Sequence, residues 1–158
     1  MLNSLGIFTN AQAVAAIREL EEAPSQMVYQ SRKNLKDQHG NSWQAIAFKR
    51  ISPNGKMTFE LRLVGFPGVA KIDRSKPLLL TNSMGKTLTA NDTSSIIFTD
   101  LSAPESNVGQ YDIQPLLPEL QPENPLKLTI SAMDGEAINL SVPPLFLQEW
   151  KTIFSSGN

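Results

Sequence analysis

Ser83 and Lys86 stand three residues apart in "NSMGKT", the spacing of the S-x-x-K element of penicillin-recognising serine enzymes, and Gly85-Lys86-Thr87 ends like a phosphate-binding loop. Neither chemistry fits the context. An S-x-x-K nucleophile needs its serine at a helix start, so that the lysine lies one turn on, together with S-D-N and K-T-G elements that the chain lacks. A phosphate loop needs glycine at position 80, where Leu80 stands, and a helix afterwards, whereas "KTLTA" alternates like a strand. The stretch reads as a β-turn with Gly85 at positive φ.

His39, the single histidine, lies in "DQHGN" between two strand-like runs. A triad or a histidine-based metal site would have to be built around it alone, and an exposed turn residue is the better account. Asp37 fits the same turn, as a side chain that bonds to the backbone just ahead. Asp92, Asp100, Glu105 and Asp112 fall in a loop-rich region, but their spacing matches no calcium loop. Without any cysteine, disulfides, thiolate nucleophiles and Cys-ligated metals are excluded. The chain is therefore expected to be non-catalytic, with no cofactor and no metal.

The elements that would position any site are mostly strands. "DQHGN", "SPNGK", "NSMGK" and "AMDGE" are four Gly-containing turns between alternating runs, and Gly55 and Gly135 should take left-handed conformations. In "MTFELRLVG", Met57, Phe59, Leu61 and Leu63 share one face while Thr58, Glu60 and Arg62 share the other. Its partner "SWQAIAFKRI" carries Trp43, Ala45 and Ala47 on one face and Ile46 and Phe48 on the other, so it should be covered on both sides. Further strands are expected at "MVYQSRKNL", "PLLLTN", "KTLTA", "SIIFTD", "PLKLTIS" and "AINLSV". "PLLPELQPENP" is too rich in proline for a long helix or a central strand and reads as a stiff connector. "PPLFLQEWKTIF" has Phe146, Trp150 and Ile153 at helical spacing after Pro144 and should be a short helix. The fold class is mainly β: an antiparallel sandwich or open barrel of hairpins with a short C-terminal helix.

The opening stretch "GIFTNAQAVAAIRELEE" supports two readings. Ala11 and Ala13, or Val14 and Ala16, are small residues at the spacing that a signal peptidase reads. Thr9 and Gln12 have capping-box spacing, and Val14, Ile17 and Leu20 recur at helical intervals, so an N-terminal helix competes. The expectation is a truncated export signal over residues 1–16, cleaved near Ala13 or Ala16, before one β-rich domain over residues 17–158. No apolar run approaches the roughly 18 residues of a membrane-spanning helix.

Charge is unevenly spread. Ala23 to Lys86 carries 11 lysines and arginines against 3 acids, and Thr87 to Asn158 carries 2 lysines against 9 acids. Either neighbouring strands neutralise one another or a bipolar surface results. In the second case Lys33, Lys49, Arg50, Lys71 and Arg74 would present a basic face to anionic lipid or to an acidic membrane-protein domain. Phe66 and Pro67, between Gly65 and Gly68 in "LVGFPG", form an apolar loop tip that either packs under the sheet edge or inserts into a partner. Lys49, Arg50, Lys56 and Arg62 flank a hairpin with Trp43 and Phe48, the mixture of a nucleic-acid platform. The aromatics alternate as core residues and the sequence pI is about 5.8, so no nucleic-acid partner is expected. A sheet enclosing a small apolar ligand, lipid or pigment, between Trp43, Phe48, Phe59 and Phe98 is the alternative function.

"VYQSRKNLKDQHGNSWQAIAFKR", "LRLVGFPGVAKIDRSKPL", "LTNSMGKTLTA" and "NVGQYDIQPLLP" resemble an uncharacterised family of cyanobacterial proteins, domain of unknown function 3122, from about Ile17 to Ser155. The resemblance implies an exported precursor and a thylakoid-lumen or periplasmic location, as an accessory or interaction module at a photosynthetic or plasma membrane. It supplies no catalytic motif and no functional residue.

Overall fold

The structure is a computed structural model that describes residues 17–23, 26–96 and 105–156. Its strands are β1 (Ile17–Ala23), β2 (Gln26–Lys36), β3 (Ser42–Ile51), β4 (Met57–Val64), β5 (Leu78–Asn82), β6 (Thr87–Asp92), β7 (Val108–Asp112), β8 (Leu126–Ser131) and β9 (Ala137–Val142). One α-helix follows, α1 (Pro144–Ser155). Eight strands form an open antiparallel sheet in the order β2-β3-β4-β7-β6-β5-β8-β9, and β1 pairs with the outer side of β2.

The four glycine turns each link neighbouring strands. Gly40, Gly55, Gly85 and Gly135 all take positive φ, between 82° and 87°. Each turn closes with the glycine N–H donating to the carbonyl three residues back, as from Gly55 to Ser52 and from Gly135 to Ala132. A side-chain oxygen reinforces it: Asn82 Oδ1 accepts from the Met84 and Lys86 N–H groups, and Asp37 Oδ1 accepts from those of His39 and Asn41.

Register then sorts the side chains. Ala45 faces Leu63, Ala47 faces Leu61 and Lys49 faces Phe59 on one side of the β3–β4 pair, which leaves Ile46, Phe48, Glu60 and Arg62 on the other. The first side is the main core, which holds Trp43, Phe59, Leu61, Leu63, Leu80, Leu128 and Leu140. The second carries a smaller buried cluster of Val28, Ile46 and Phe48. Strand β3 is thus covered on both faces, as its alternation implies.

The sheet curls until β9 returns to β2. An Asp37–Leu140 bridge joins them at one end, and the Gln38 side chain extends the ladder by donating to the Ala137 carbonyl and accepting from the Asn139 N–H. At the other end α1 fills the gap, burying Leu147, Trp150 and Ile153 in the main core. Pro144 starts the helix, where its missing N–H is harmless. The proline-rich connector between β7 and β8 is a 3-10 helix, Gln114–Glu119, followed by a turn.

Three expectations change. Ile17 and Leu20, read as part of a helix, lie in strand β1, because β2 offers a backbone ladder that a short isolated helix cannot match. Residues 1–16, including the expected cleavage points at Ala13 and Ala16, lie outside the described residues. "SIIFTD" begins as part of a 3-10 turn, Ser94–Ile96, rather than as a strand, and from Ile97 onward, Phe98 and Asp100 included, it also lies outside the described residues. Strand β7, in contrast, was not expected. Gly109 breaks its alternation because a Cβ there would lie 2.8 Å from Tyr111 Oη.

Candidate functional site

The end of the sheet opposite α1 is built from three loops: the turn 37–41, the loop 65–77 and the turn 132–136. Backbone bonds tie the second to the third. The Met133 N–H donates to the Lys71 carbonyl at 2.8 Å, and the Asp73 N–H donates to the Ser131 carbonyl at 2.9 Å. Between the loops lies a cleft of about 410 Å3 with Trp43, Ala70, Ala132 and Ile138 in its walls. Those four are buried, whereas three apolar side chains around the same cleft are bare: Phe66 is 64% exposed, Val69 59% and Met133 64%.

Local geometry explains why these side chains stand out. The Val69 and Ala70 N–H groups both donate to the Phe66 carbonyl, and Gly68 turns the chain at φ 84°. One tight turn therefore presents Phe66, Pro67 and Val69 outward while Ala70 turns in. The loop sits against Trp43: a Cβ on Gly65 would lie 2.5 Å from Ala70 Cβ and 2.8 Å from Trp43 Cη2. Only glycine allows the backbone this near to the indole.

Asp37 holds the opposite wall. Its Oδ2 accepts from Trp43 Nε1 at 3.0 Å, and its Oδ1 accepts from two backbone N–H groups. Burial acts to raise its pKa, but the hydrogen bonds from Trp43, Asn41 and His39 outweigh it, so the carboxyl lies below the usual 3.8. Asp37 is thus an anchor for the indole and the turn. His39 is exposed, with Nε2 3.7 Å from Glu136 Oε2, which agrees with a turn residue.

The expected basic face is distributed over the molecule. Lys71 alone lines the cleft, beside Phe66. Lys33 lies over the Phe146 ring and 3.5 Å from Glu149 Oε2 on α1. Lys49 is fully buried and donates to the carbonyls of Phe154 and Ser156, 2.7 and 2.5 Å away. Burial pushes its pKa below the usual 10.5, while the two acceptors favour the ammonium. Arg50 and Arg62 both lie 5.2 Å from the centre of the Phe48 ring. Arg74 donates to the carbonyls of Val108 and Glu105. The basic and acidic halves therefore meet in several places, Lys86 with Glu119 among them.

Other candidates resolve in the same manner. Phe48 is 4% exposed, so it offers no face for a stacked base. It also lies across β3 from Trp43 and Phe59, so these aromatics do not line one interior cavity. Asp92 accepts from the Ser94 N–H and hydroxyl, and Asp112 accepts from the Gln114 N–H. Glu60 is buried and accepts from Gln110 Nε2 and Thr93 Oγ1. Among the described residues no three His, Cys, Asp or Glu side chains are placed to hold a metal ion. No described helix is long and apolar enough to cross a membrane.

Of the residues singled out in the sequence, Phe66 and Lys71 line this cleft and Pro67 stands on the same loop, whereas Met133, Val69 and the place of Trp43 at its floor were not anticipated. "AMDGE" signals a turn, and nothing within it tells that its methionine will stand beside a loop more than sixty residues earlier.

Residues 15–153 match the model of a family described as protein of unknown function, DUF3122. No curated protein and no solved structure matches the chain.

Proposed function

The chain belongs to the DUF3122 family of proteins of unknown function, and from that premise and the geometry above we propose that it is a non-catalytic interaction module, which meets a membrane-associated partner through its loop end. The observation that carries this reading is the placement of Phe66, Val69 and Met133, all exposed, on neighbouring loops around one cleft. Exposed apolar groups gathered in this way mark surfaces that become covered. The polar groups nearby support docking rather than chemistry, since the Asp37 carboxylate is engaged by three N–H donors. The compartment we propose is extracytoplasmic: the small-residue run "AQAVAA" supports export, and periplasm or thylakoid lumen is what the resemblance to a cyanobacterial family implies. N-terminal sequencing of the protein from cells should find a start near residue 14 or 17; an intact Met1 in the cytosol would rule this out.

The docking test is co-sedimentation with membranes from the source cells. A Phe66→Asp, Met133→Asp variant should lose most of its retention while its thermal midpoint stays within about 2 °C, since both side chains are exposed. Undiminished retention would sink the reading. Charge reversal at Lys49 would not serve, because that ammonium is buried.

The volume of the cleft favours a second reading, in which it holds a small apolar ligand. At about 410 Å3 it falls within the roughly 300–1,000 Å3 of ligand sites. The interior between Trp43 and Phe59, by contrast, is filled by leucines.

A further inference from the structure

The charge at the cleft is opposite to that of the half of the sequence that supplies most of its lining. Three carboxylates line it, Asp37, Asp134 and Glu136, against a single lysine, Lys71, and no arginine. Asp37 points inward to the indole, but the other two stand exposed on the β8–β9 turn. Asp134 uses only Oδ1 within its turn, accepting from the Glu136 N–H. Glu136 lies 3.7 Å from His39, too far for a hydrogen bond. Two exposed carboxylates thus flank an apolar recess floored by Trp43 and rimmed by Phe66 and Met133.

An anionic lipid headgroup would meet like charge here, and a wholly apolar ligand would leave the carboxylates unused. We propose that the occupant is a short polypeptide segment of a protein partner in which an apolar or aromatic side chain is flanked by lysine or arginine. The apolar group lies over Trp43 between Phe66 and Met133, and the cation meets Asp134 and Glu136. This rests on the docking reading and adds the chemistry of the partner.

The probes are two acetylated peptide amides, LFKK and LFEE, titrated into the 15N-labelled protein. The indole N–H of Trp43 and the backbone N–H groups of Met133 and Gly135 report on the cleft. LFKK should shift these resonances with an affinity about tenfold above that of LFEE, which is what two exposed ion pairs amount to. In an Asp134→Asn, Glu136→Gln variant, whose turn is kept because asparagine can also accept the Glu136-position N–H, the difference should shrink to about threefold or less. Equal binding of both peptides to the parent would overturn the charge argument while leaving an apolar docking cleft. No shift from either peptide, with membrane retention still lost on Phe66→Asp, Met133→Asp, would overturn the inference and spare the docking reading. Shifts produced by phosphatidylglycerol vesicles but not by LFKK would overturn it in favour of a lipid surface.

Discussion

The two ends of the curled sheet treat buried polarity in opposite ways. At the helix end, Lys49 inside the core donates to the carbonyls of Phe154, in the last turn of α1, and of Ser156 just past it, and Ser31 and Lys33 both reach Glu149 from β2. Polar groups there fasten the helix into the gap between strands, with Phe146 and Phe154 under the ammonium groups. At the loop end, the buried carboxylate of Asp37 fastens only its own turn and the indole of Trp43. The bare side chains of Phe66, Val69 and Met133 surround them. One end is closed by the protein itself, whereas the other is finished but left uncovered. Stability should therefore be concentrated at the helix end and recognition at the loop end.

Truncation of the helix anchor should produce the largest effect. Trp150 is 1% exposed, and Trp150→Ala should cost about 3–5 kcal/mol in urea unfolding, because a cavity of that size cannot fully collapse. Phe66→Ala should stay within about 0.5 kcal/mol of the parent. Comparable losses at both positions would mean that the loop end is core and the contrast is false. Next in size is Lys49→Ala, which removes a charged donor from two carbonyls at the end of α1 and should cost about 2–3 kcal/mol. Lys49→Met restores bulk without the donor, so its cost, measured by the same unfolding curves, separates packing from hydrogen bonding.

Gly65→Ala sharpens the comparison from the other side. The new methyl group would press on Ala70 and the Trp43 ring, and overpacking of this kind costs about 1–3 kcal/mol. The disturbance should be local. Trp43 resonances should move while those of Trp150 stay, and peptide binding at the cleft should weaken more than stability does. Equal movement at both tryptophans would show that the two ends are coupled.

The elements that were legible in the sequence are those whose signal is local. The five-residue glycine turns state both the hairpin and its register, and the alternation of β3 and β4 states which side chains enter the core. Helix α1 is legible from Pro144, Phe146, Trp150 and Ile153. Strand β7 was not, because Gly109 leaves a gap where an inward residue is expected, and the gap makes sense only once Tyr111 is seen beside it. Strand β1 was misread since pairing with β2 overrides the helical spacing of Ile17 and Leu20. The site divides in the same manner. Phe66 and Pro67 announce themselves between glycines, but Met133 becomes their neighbour through the bond from its N–H to the Lys71 carbonyl, a tertiary fact. Lys49 shows the limit for charge: its place on the inward face of β3 follows from the alternation, whereas its partners on α1 do not.

The smallest effect concerns acid and should appear at the loop end first. Hydrogen bonds from Trp43, Asn41 and His39 hold the Asp37 carboxyl below its usual 3.8 despite its burial. In the pH window between its folded and unfolded values, the unfolded chain binds more protons than the folded one, so the contribution of this group rises with pH there. It is complete above the unfolded value and is lost as pH falls through the folded one. Protonation weakens the acceptor of the Trp43 indole N–H and of the His39 and Asn41 N–H groups, so their hydrogen exchange should accelerate before that of β4 or β8. Asp37→Asn should remove this acid response, because an amide carries no proton equilibrium there, and it should speed exchange at Trp43 even at pH 7, where a donor now faces a donor. The same acid response in parent and Asp37→Asn would assign it to other carboxylates and leave the loop end no more acid-sensitive than the rest of the sheet.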